Sequence, residues 1–142
     1  MAIYWDTSCV VKLYCRESDS GFYLEALASE AEPLRSSVLL EAELFFAFQR
    51  KWARGETGSK TPEDLFKHFL DDVEFGRILL YPLGRDVIEE SRKVAQACFA
   101  SEPIVPLRTL DGLHLATARL AKCERVFSTD ARMKQAAVIL GL

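Results

Sequence analysis

Four acidic residues of this 142-residue chain stand where carboxylate chemistry needs them. Asp6 follows the apolar, aromatic run 2–5, Asp130 follows the apolar stretch 125–128, Asp111 opens a helical pattern, and Glu43 lies inside another. A charge directly after a buried strand is costly unless it is paired or solvated, which marks Asp6 for chemistry. Asp111 and Asp130 fit equally well as caps or charge complements of helix N-termini, and both readings stand at this level. Glu43 competes with Glu41, two residues away and so roughly 200° around a helix. Glu43 shares a stripe with Ala47, Arg50 and Arg54, small and then basic, suited to lining a cleft. Glu41 shares one with Phe45, Phe48 and Trp52, suited to packing or association. Glu43 is therefore chosen, with Glu41 as the alternative ligand.

Grouped carboxylates repel one another unless a cation joins them. Oxygen donors without histidine or cysteine select Mg²⁺ or Mn²⁺ over zinc. Such ions acidify water to make a nucleophile and neutralise charge on a phosphodiester during in-line displacement. Phosphodiester hydrolysis is the natural reaction class.

The elements that must position these acids can be read from periodicity and punctuation. Strands are expected at 2–5, 78–83 and 125–128, and helices at 9–14, from the Ser18-Asp19-Ser20 cap cluster to before Pro33, and at 85–99, 110–122 and 130–140. Ser36 and Ser37 are read as opening a long helix that Gly55 stops near Arg54. The stretch 55–61 is the one linker-like segment, and Thr61-Pro62-Glu63-Asp64 is a strong helix start leading to about Phe75. Alternating strands and helices imply an α/β domain, a parallel sheet of about four strands with helices on both faces, where ligands collect at the carboxyl ends of the strands. Residues 1–142 read as one domain, without internal repeats.

Composition narrows the class. Eighteen Lys and Arg against twenty-one Asp and Glu give a net charge of −3, which argues against a polybasic nucleic-acid binder but not against a nuclease that works through metal ions. Cys9, Cys15, Cys98 and Cys123 form no C-x-x-C pair, and only His68 and His114 accompany them, so a structural zinc or redox dithiol is not expected. The start of the chain has no basic or apolar leader pattern, and no apolar run approaches the ~20 residues of a membrane span. A cytoplasmic protein with reduced thiols is the simplest reading.

Four segments carry a resemblance. Ile3-Tyr4-Trp5-Asp6-Thr7-Ser8, with Lys12-Leu13-Tyr14 and Glu17, resembles the opening of PIN-domain proteins, particularly VapC-type toxins of bacterial toxin-antitoxin pairs. Ser36-Ser37-Val38-Leu39 with Ala42-Glu43-Leu44 is similar to their second motif. Their third and most specific motif is matched by Leu107-Arg108-Thr109-Leu110-Asp111-Gly112-Leu113-His114-Leu115-Ala116-Thr117-Ala118. Phe127-Ser128-Thr129-Asp130-Ala131-Arg132-Met133, with Ala136-Ala137 and Gly141-Leu142, resembles the fourth. The resemblance implies a three-layer PIN-like fold and a Mg²⁺-dependent endoribonuclease toxin whose acidic quartet is Asp6, Glu43, Asp111 and Asp130, with Mn²⁺ able to substitute. It further implies inhibition by a small cognate antitoxin, and homodimerisation. Two departures stand out: family members continue past the final Gly-Leu into a short edge strand, a possible fifth, and Gly112 stands where Ala is commoner, loosening the helix start by up to ~1 kcal/mol.

Around the quartet, Thr7, Ser8 and Thr129 are candidates to hydrogen-bond the carboxylates or metal waters, with helix capping as the other reading. His114 is read as a packed structural histidine. Arg50, Arg54, Arg108, Arg132 and Lys134 are candidate contacts to RNA phosphates, each otherwise an ordinary solvated side chain. Phe45, Phe48, Trp52, Leu65, Phe66, Phe69 and Leu70 form candidate association surfaces, set against burial in the core. An antitoxin helix in such a groove could place a basic side chain over the acids. Two competing functions are a catalytically silent RNA- or protein-binding module with the same fold, and a phosphatase with Asp6 as nucleophile. The second is ranked last, because those enzymes resemble Asp-x-Asp and position 8 is Ser.

Overall fold

Ile3-Tyr4-Trp5 has no charged side chain, and all three residues are buried as strand β1 (Ile3–Trp5) in the computed structural model, which describes residues 2–142. Side-chain alternation then divides the core. Ile3 and Trp5 join Val10, Leu34, Leu44, Phe48, Phe69 and Ile78, whereas Ala2 and Tyr4 point oppositely, onto Ala118 and Cys123.

After β1 the chain forms α1 (Thr7–Tyr14), α2 (Ser20–Ser29), β2 (Leu34–Ser37), α3 (Leu39–Ala53), α4 (Pro62–Glu74) and β3 (Ile78–Tyr81). It continues through α5 (Arg85–Phe99), α6 (Thr109–Leu120), β4 (Arg125–Phe127) and α7 (Ala131–Ile139). The four strands lie in the order β3-β2-β1-β4 and every pair is parallel. In register, Tyr4 faces Val126 on one side and Arg35 on the other. Helices α1, α3 and α4 bury their apolar faces with Trp5 and Leu34, while α5, α6 and α7 build a second cluster around Val94, Leu115 and Met133. This is the α/β, three-layer architecture expected from the sequence, with four strands among the described residues.

The topology fixes where a site belongs. The chain winds outward from β1 through β2 to β3, then crosses back to lay β4 on the other side of β1. The crevice beyond the carboxyl ends of β1 and β4 is thus the switch point, the ligand position of open parallel sheets. Asp6 and Asp130 stand at those two ends.

One expectation is corrected. Ser36 and Ser37 do not open a helix: they complete β2, and α3 begins at Leu39. Polar residues at strand positions hid β2 from a reading based on hydrophobic period, yet both serines are fully buried. Their hydroxyls are satisfied by backbone groups, since Ser36 Oγ donates to the Trp5 carbonyl at 2.7 Å and Ser37 Oγ accepts from the Leu39 N–H at 3.1 Å. The strand expected at 78–83 is shorter, ending at Tyr81. Helix α5 has the expected bounds, and α4 starts on a full capping box between Thr61 and Asp64. The aromatic stripe is split: Phe48, Leu65 and Phe69 are core, whereas Trp52 and Leu70 are exposed. All four cysteines are buried and free, and no helix among the described residues is long and apolar enough to cross a membrane.

Candidate active site

Asp6 is the N-cap of α1, and its Oδ1 accepts from the Cys9 N–H at 3.3 Å and the Ser8 hydroxyl at 2.5 Å. The residue is only 6% exposed, and burial pushes its carboxyl above the ordinary value against the opposing hydroxyls of Ser128 and Ser8. Asp130 caps α7 in the same way, with Oδ1 accepting from the Met133 N–H at 3.0 Å. Ser8 Oγ also accepts from the Thr129 N–H at 3.1 Å, which ties the end of β1 to the segment after β4. The capping role foreseen for Asp130 is therefore real, and Asp6 shares it. Neither excludes further chemistry, because a cap engages one face of a carboxylate.

Asp111 lies in the first turn of α6, and the Arg108 Nε is 3.8 Å from its Oδ2. Burial raises its carboxyl first, and the negative charge of Asp130 adds to this; Asp6 contributes in the same direction, while Arg108 opposes it. The charges of Asp130 and Asp6, at the N-termini of α7 and α1, are thus close enough to disfavour ionisation of Asp111 on α6.

Glu43 reaches the same place from α3. Its Oε1 accepts from the Thr7 hydroxyl at 2.9 Å and pairs with His114 Nε2. Burial pushes the Glu43 carboxyl up, but the hydrogen bonds from His114 and Thr7 outweigh it, so the group is held below its ordinary value. His114 is itself 2% exposed, and its Nδ1 meets the Tyr4 hydroxyl at 2.5 Å. The histidine read as packed is indeed buried, but it also holds a carboxylate of the quartet. Its position one helical turn after Asp111 was the available signal.

A cleft of about 740 Å³ opens beside these groups. The stripe Glu43, Ala47, Arg50 and Arg54 lines it, with Thr7, Ser8 and Thr129 at the acidic end. Glu41 does not line it. Lys12, Glu17 and Lys51 form a further part of the wall: Lys12 donates to Asp19 at 2.7 Å and to Glu17 at 3.4 Å, and Lys51 reaches Glu17 at 3.4 Å. These residues were not singled out for the cleft from sequence, because their pairing joins α1 to α3. Arg108, Arg132 and Lys134 are exposed and lie outside the cleft lining.

Among the described residues, no three Asp, Glu, His or Cys side chains form a group poised to hold a metal ion. Each acid is turned toward its own partner: Asp6 and Asp130 to helix N-termini, Glu43 to Thr7 and His114, Asp111 toward Arg108. The donor set still fits a hard divalent cation. It is all carboxylate oxygen, and the mutual repulsion that raises Asp111 is what a cation between the acids would relieve. In Asp130 and Glu43, moreover, the hydrogen bonds fall on one oxygen, Oδ1 and Oε1 respectively.

Comparison with known proteins places this geometry in context. The PIN domain family model matches residues 3–139. The chain is 32% identical over 143 aligned positions to ribonuclease VapC46 of Mycobacterium tuberculosis, covering 99% of this chain and 94% of that protein. Its fold superposes on the crystal structure of VapC20 from Mycobacterium tuberculosis, described as a sarcin-ricin loop cleaving toxin, with a TM-score of 0.69 at 14% identity over 95% of both chains.

Proposed function

The chain belongs to the PIN-domain family and to its VapC-type proteins, and from that premise we propose that it is a Mg²⁺-dependent endoribonuclease toxin, neutralised by a small cognate antitoxin. The observation that carries the reading is the approach of Asp111 to Asp130 and Asp6 at the switch point of the sheet, beside a cleft lined by Arg50 and Arg54. The relative that matches along nearly its whole length is named a ribonuclease, which supports the same reaction class.

In this reading Asp6, Glu43, Asp111 and Asp130 hold Mg²⁺, with Mn²⁺ as a substitute. Bound there, the ion would supply a Lewis acid for the phosphodiester and acidify the attacking water. The protein supplies the rest. Ser8 and the helix N-termini orient the two strand-end carboxylates, Thr7 and His114 orient Glu43, and Arg50 and Arg54 offer donors to RNA phosphates along the cleft. Cytoplasmic action on RNA and a homodimeric state belong to the same proposal. An antitoxin would compete for the cleft and the acids, and co-purification of the tagged chain with the product of a neighbouring small reading frame tests that part.

The deciding experiment is cleavage of total RNA by the purified chain. Cleavage is expected with Mg²⁺ or Mn²⁺, is abolished by chelation, and is severely impaired in Asp6→Asn. Undiminished cleavage by that variant sinks the assignment. A catalytically silent binding module is the second reading, favoured by the helix caps that already occupy Asp6 and Asp130. It is selected if Mn²⁺ fails to bind in a titration of the antitoxin-free protein.

A further inference from the structure

We propose that His114, itself fixed by Tyr4, is the positioning residue for Glu43, and that the Tyr4–His114–Glu43 chain sets which carboxylate oxygen is presented to the cleft. The inference rests on the reading of the acidic quartet as the reactive site and extends it to two residues that touch neither substrate nor cation.

The chain joins three elements, β1, α6 and α3, through side chains that are 0% and 2% exposed at Tyr4 and His114. A ring nitrogen that faces a carboxylate oxygen carries a proton and donates it, which places a proton on Nε2. The Tyr4 hydroxyl lies 2.5 Å from Nδ1 and can donate to it. An imidazole that accepts at Nδ1 carries its proton on Nε2, and Nε2 faces Glu43 Oε1. The Thr7 hydroxyl donates to the same oxygen. Two donors on Oε1 fix the carboxylate plane and direct Oε2 as the free acceptor.

The placement has a consequence for spacing. Asp111 and His114 are one turn apart on α6, so the helix that presents one acid also grips a second acid carried by α3. A shift of α6 would move both together. A histidine serving packing alone would need its ring buried and its nitrogens satisfied by any partners; here one partner is a carboxylate of the quartet and the other is a tyrosine that selects the tautomer.

The test uses the purified full chain and three variants, His114→Ala, His114→Gln and Tyr4→Phe, each checked by thermal melting for folding. Imidazole ¹⁵N spectra of the metal-free wild type are expected to show His114 as a single Nε2–H tautomer, and Tyr4→Phe is expected to mix the tautomers. Mn²⁺ affinity, measured by calorimetry, is expected to fall about tenfold or more in His114→Ala. It should largely recover in His114→Gln, whose amide nitrogen can take the place of Nε2. An Nδ1–H tautomer in the wild type overturns the proposal, and so does a His114→Ala protein that binds Mn²⁺ as the wild type does. Lower thermal stability in His114→Ala with no recovery of affinity in His114→Gln also overturns it, leaving His114 a packing residue. A wild type that neither binds Mn²⁺ nor cleaves RNA refutes the ribonuclease reading instead. The ¹³C shift of the Glu43 carboxyl then decides the positioning: displaced in His114→Ala and restored in His114→Gln, it stands, and unchanged in both, it falls.

Discussion

Asp111 shows what a reactive site costs at the scale of one residue. Its carboxyl is raised by burial and by the charges of Asp130 and Asp6, so without a cation the folded state carries a repulsion that the unfolded chain lacks. A group whose folded pKa lies above its unfolded one contributes stability that is fully present below the unfolded value, about 3.9 for Asp, and is lost as pH rises through the folded value. The metal-free protein should therefore gain stability from Asp111 on mild acidification, and Asp111→Asn should reproduce that gain at neutral pH. We expect a rise on the order of 1 kcal/mol without divalent ions, or roughly 3–4 °C in Tm. Mg²⁺ at a hundred times its dissociation constant should stabilise the wild type by about 2.7 kcal/mol and the variant by much less. Thermal melts with Mg²⁺ and with chelator check both statements, and an Asn variant that is less stable without metal and keeps the full Mg²⁺ shift contradicts them. The acids themselves were legible in the sequence, because charges at strand ends and helix starts are conspicuous. The hydroxyl and imidazole that hold Glu43 were less so. Thr7 is 36 positions away in sequence and His114 is 71, and a single sequence does not display such pairings.

Among the elements, legibility followed how local the cause was. Helix α4 could be read from four residues because its signal is chemical and adjacent: Thr61 Oγ1 accepts from the Asp64 N–H at 3.2 Å, and Asp64 Oδ2 accepts from the Thr61 N–H at 3.0 Å. Thr61→Ala should lower stability by about 1 kcal/mol, seen as a lower urea midpoint with unchanged slope. Strand β2 was missed for the opposite reason. Leu34-Arg35-Ser36-Ser37 has one apolar residue, and it is a strand because β1 and β3 flank it and the Trp5 carbonyl accepts the Ser36 hydroxyl. Its neighbours lie 31 and 44 residues away at Tyr4 and Ile78, so the tertiary context overrides a weak local preference. Helix α6 combines both cases. Its amphipathic run was plain, but Gly112 beside Asp111 looked like a weakness of unknown purpose. A Cβ there would meet only Leu107 Cδ2 at 3.8 Å, an ordinary contact. Gly112→Ala should thus raise stability by about 0.5–1 kcal/mol, with a higher urea midpoint; a loss of stability would show that α6 needs the glycine for a closer approach than the packing reveals.

For the whole molecule, the net charge of −3 acquires an internal structure. Setting the four proposed ligands aside leaves eighteen basic and seventeen acidic residues, a balance of +1. One bound divalent ion would bring the total to −1 and two would bring it to +1. Of the four acids only Glu43 lines the cleft, and Arg50 and Arg54 follow it further along α3. Lys12 and Lys51 are already engaged by Glu17, so they add less free positive charge than their number suggests. Affinity for RNA should then depend on occupancy of the acidic end more than on a basic patch. With a phosphorothioate RNA that resists cleavage, binding measured by fluorescence anisotropy should tighten markedly when Mn²⁺ is added, and Asp6→Asn should remove most of that gain. The cationic part can be separated by salt. If Arg50 and Arg54 each neutralise one phosphate of a single strand, replacing both with alanine should reduce the slope of log K against log salt by about 1.4, at roughly 0.7 per contact. An unchanged slope would move the RNA path off α3, and affinity indifferent to Mn²⁺ would separate RNA binding from the acids altogether.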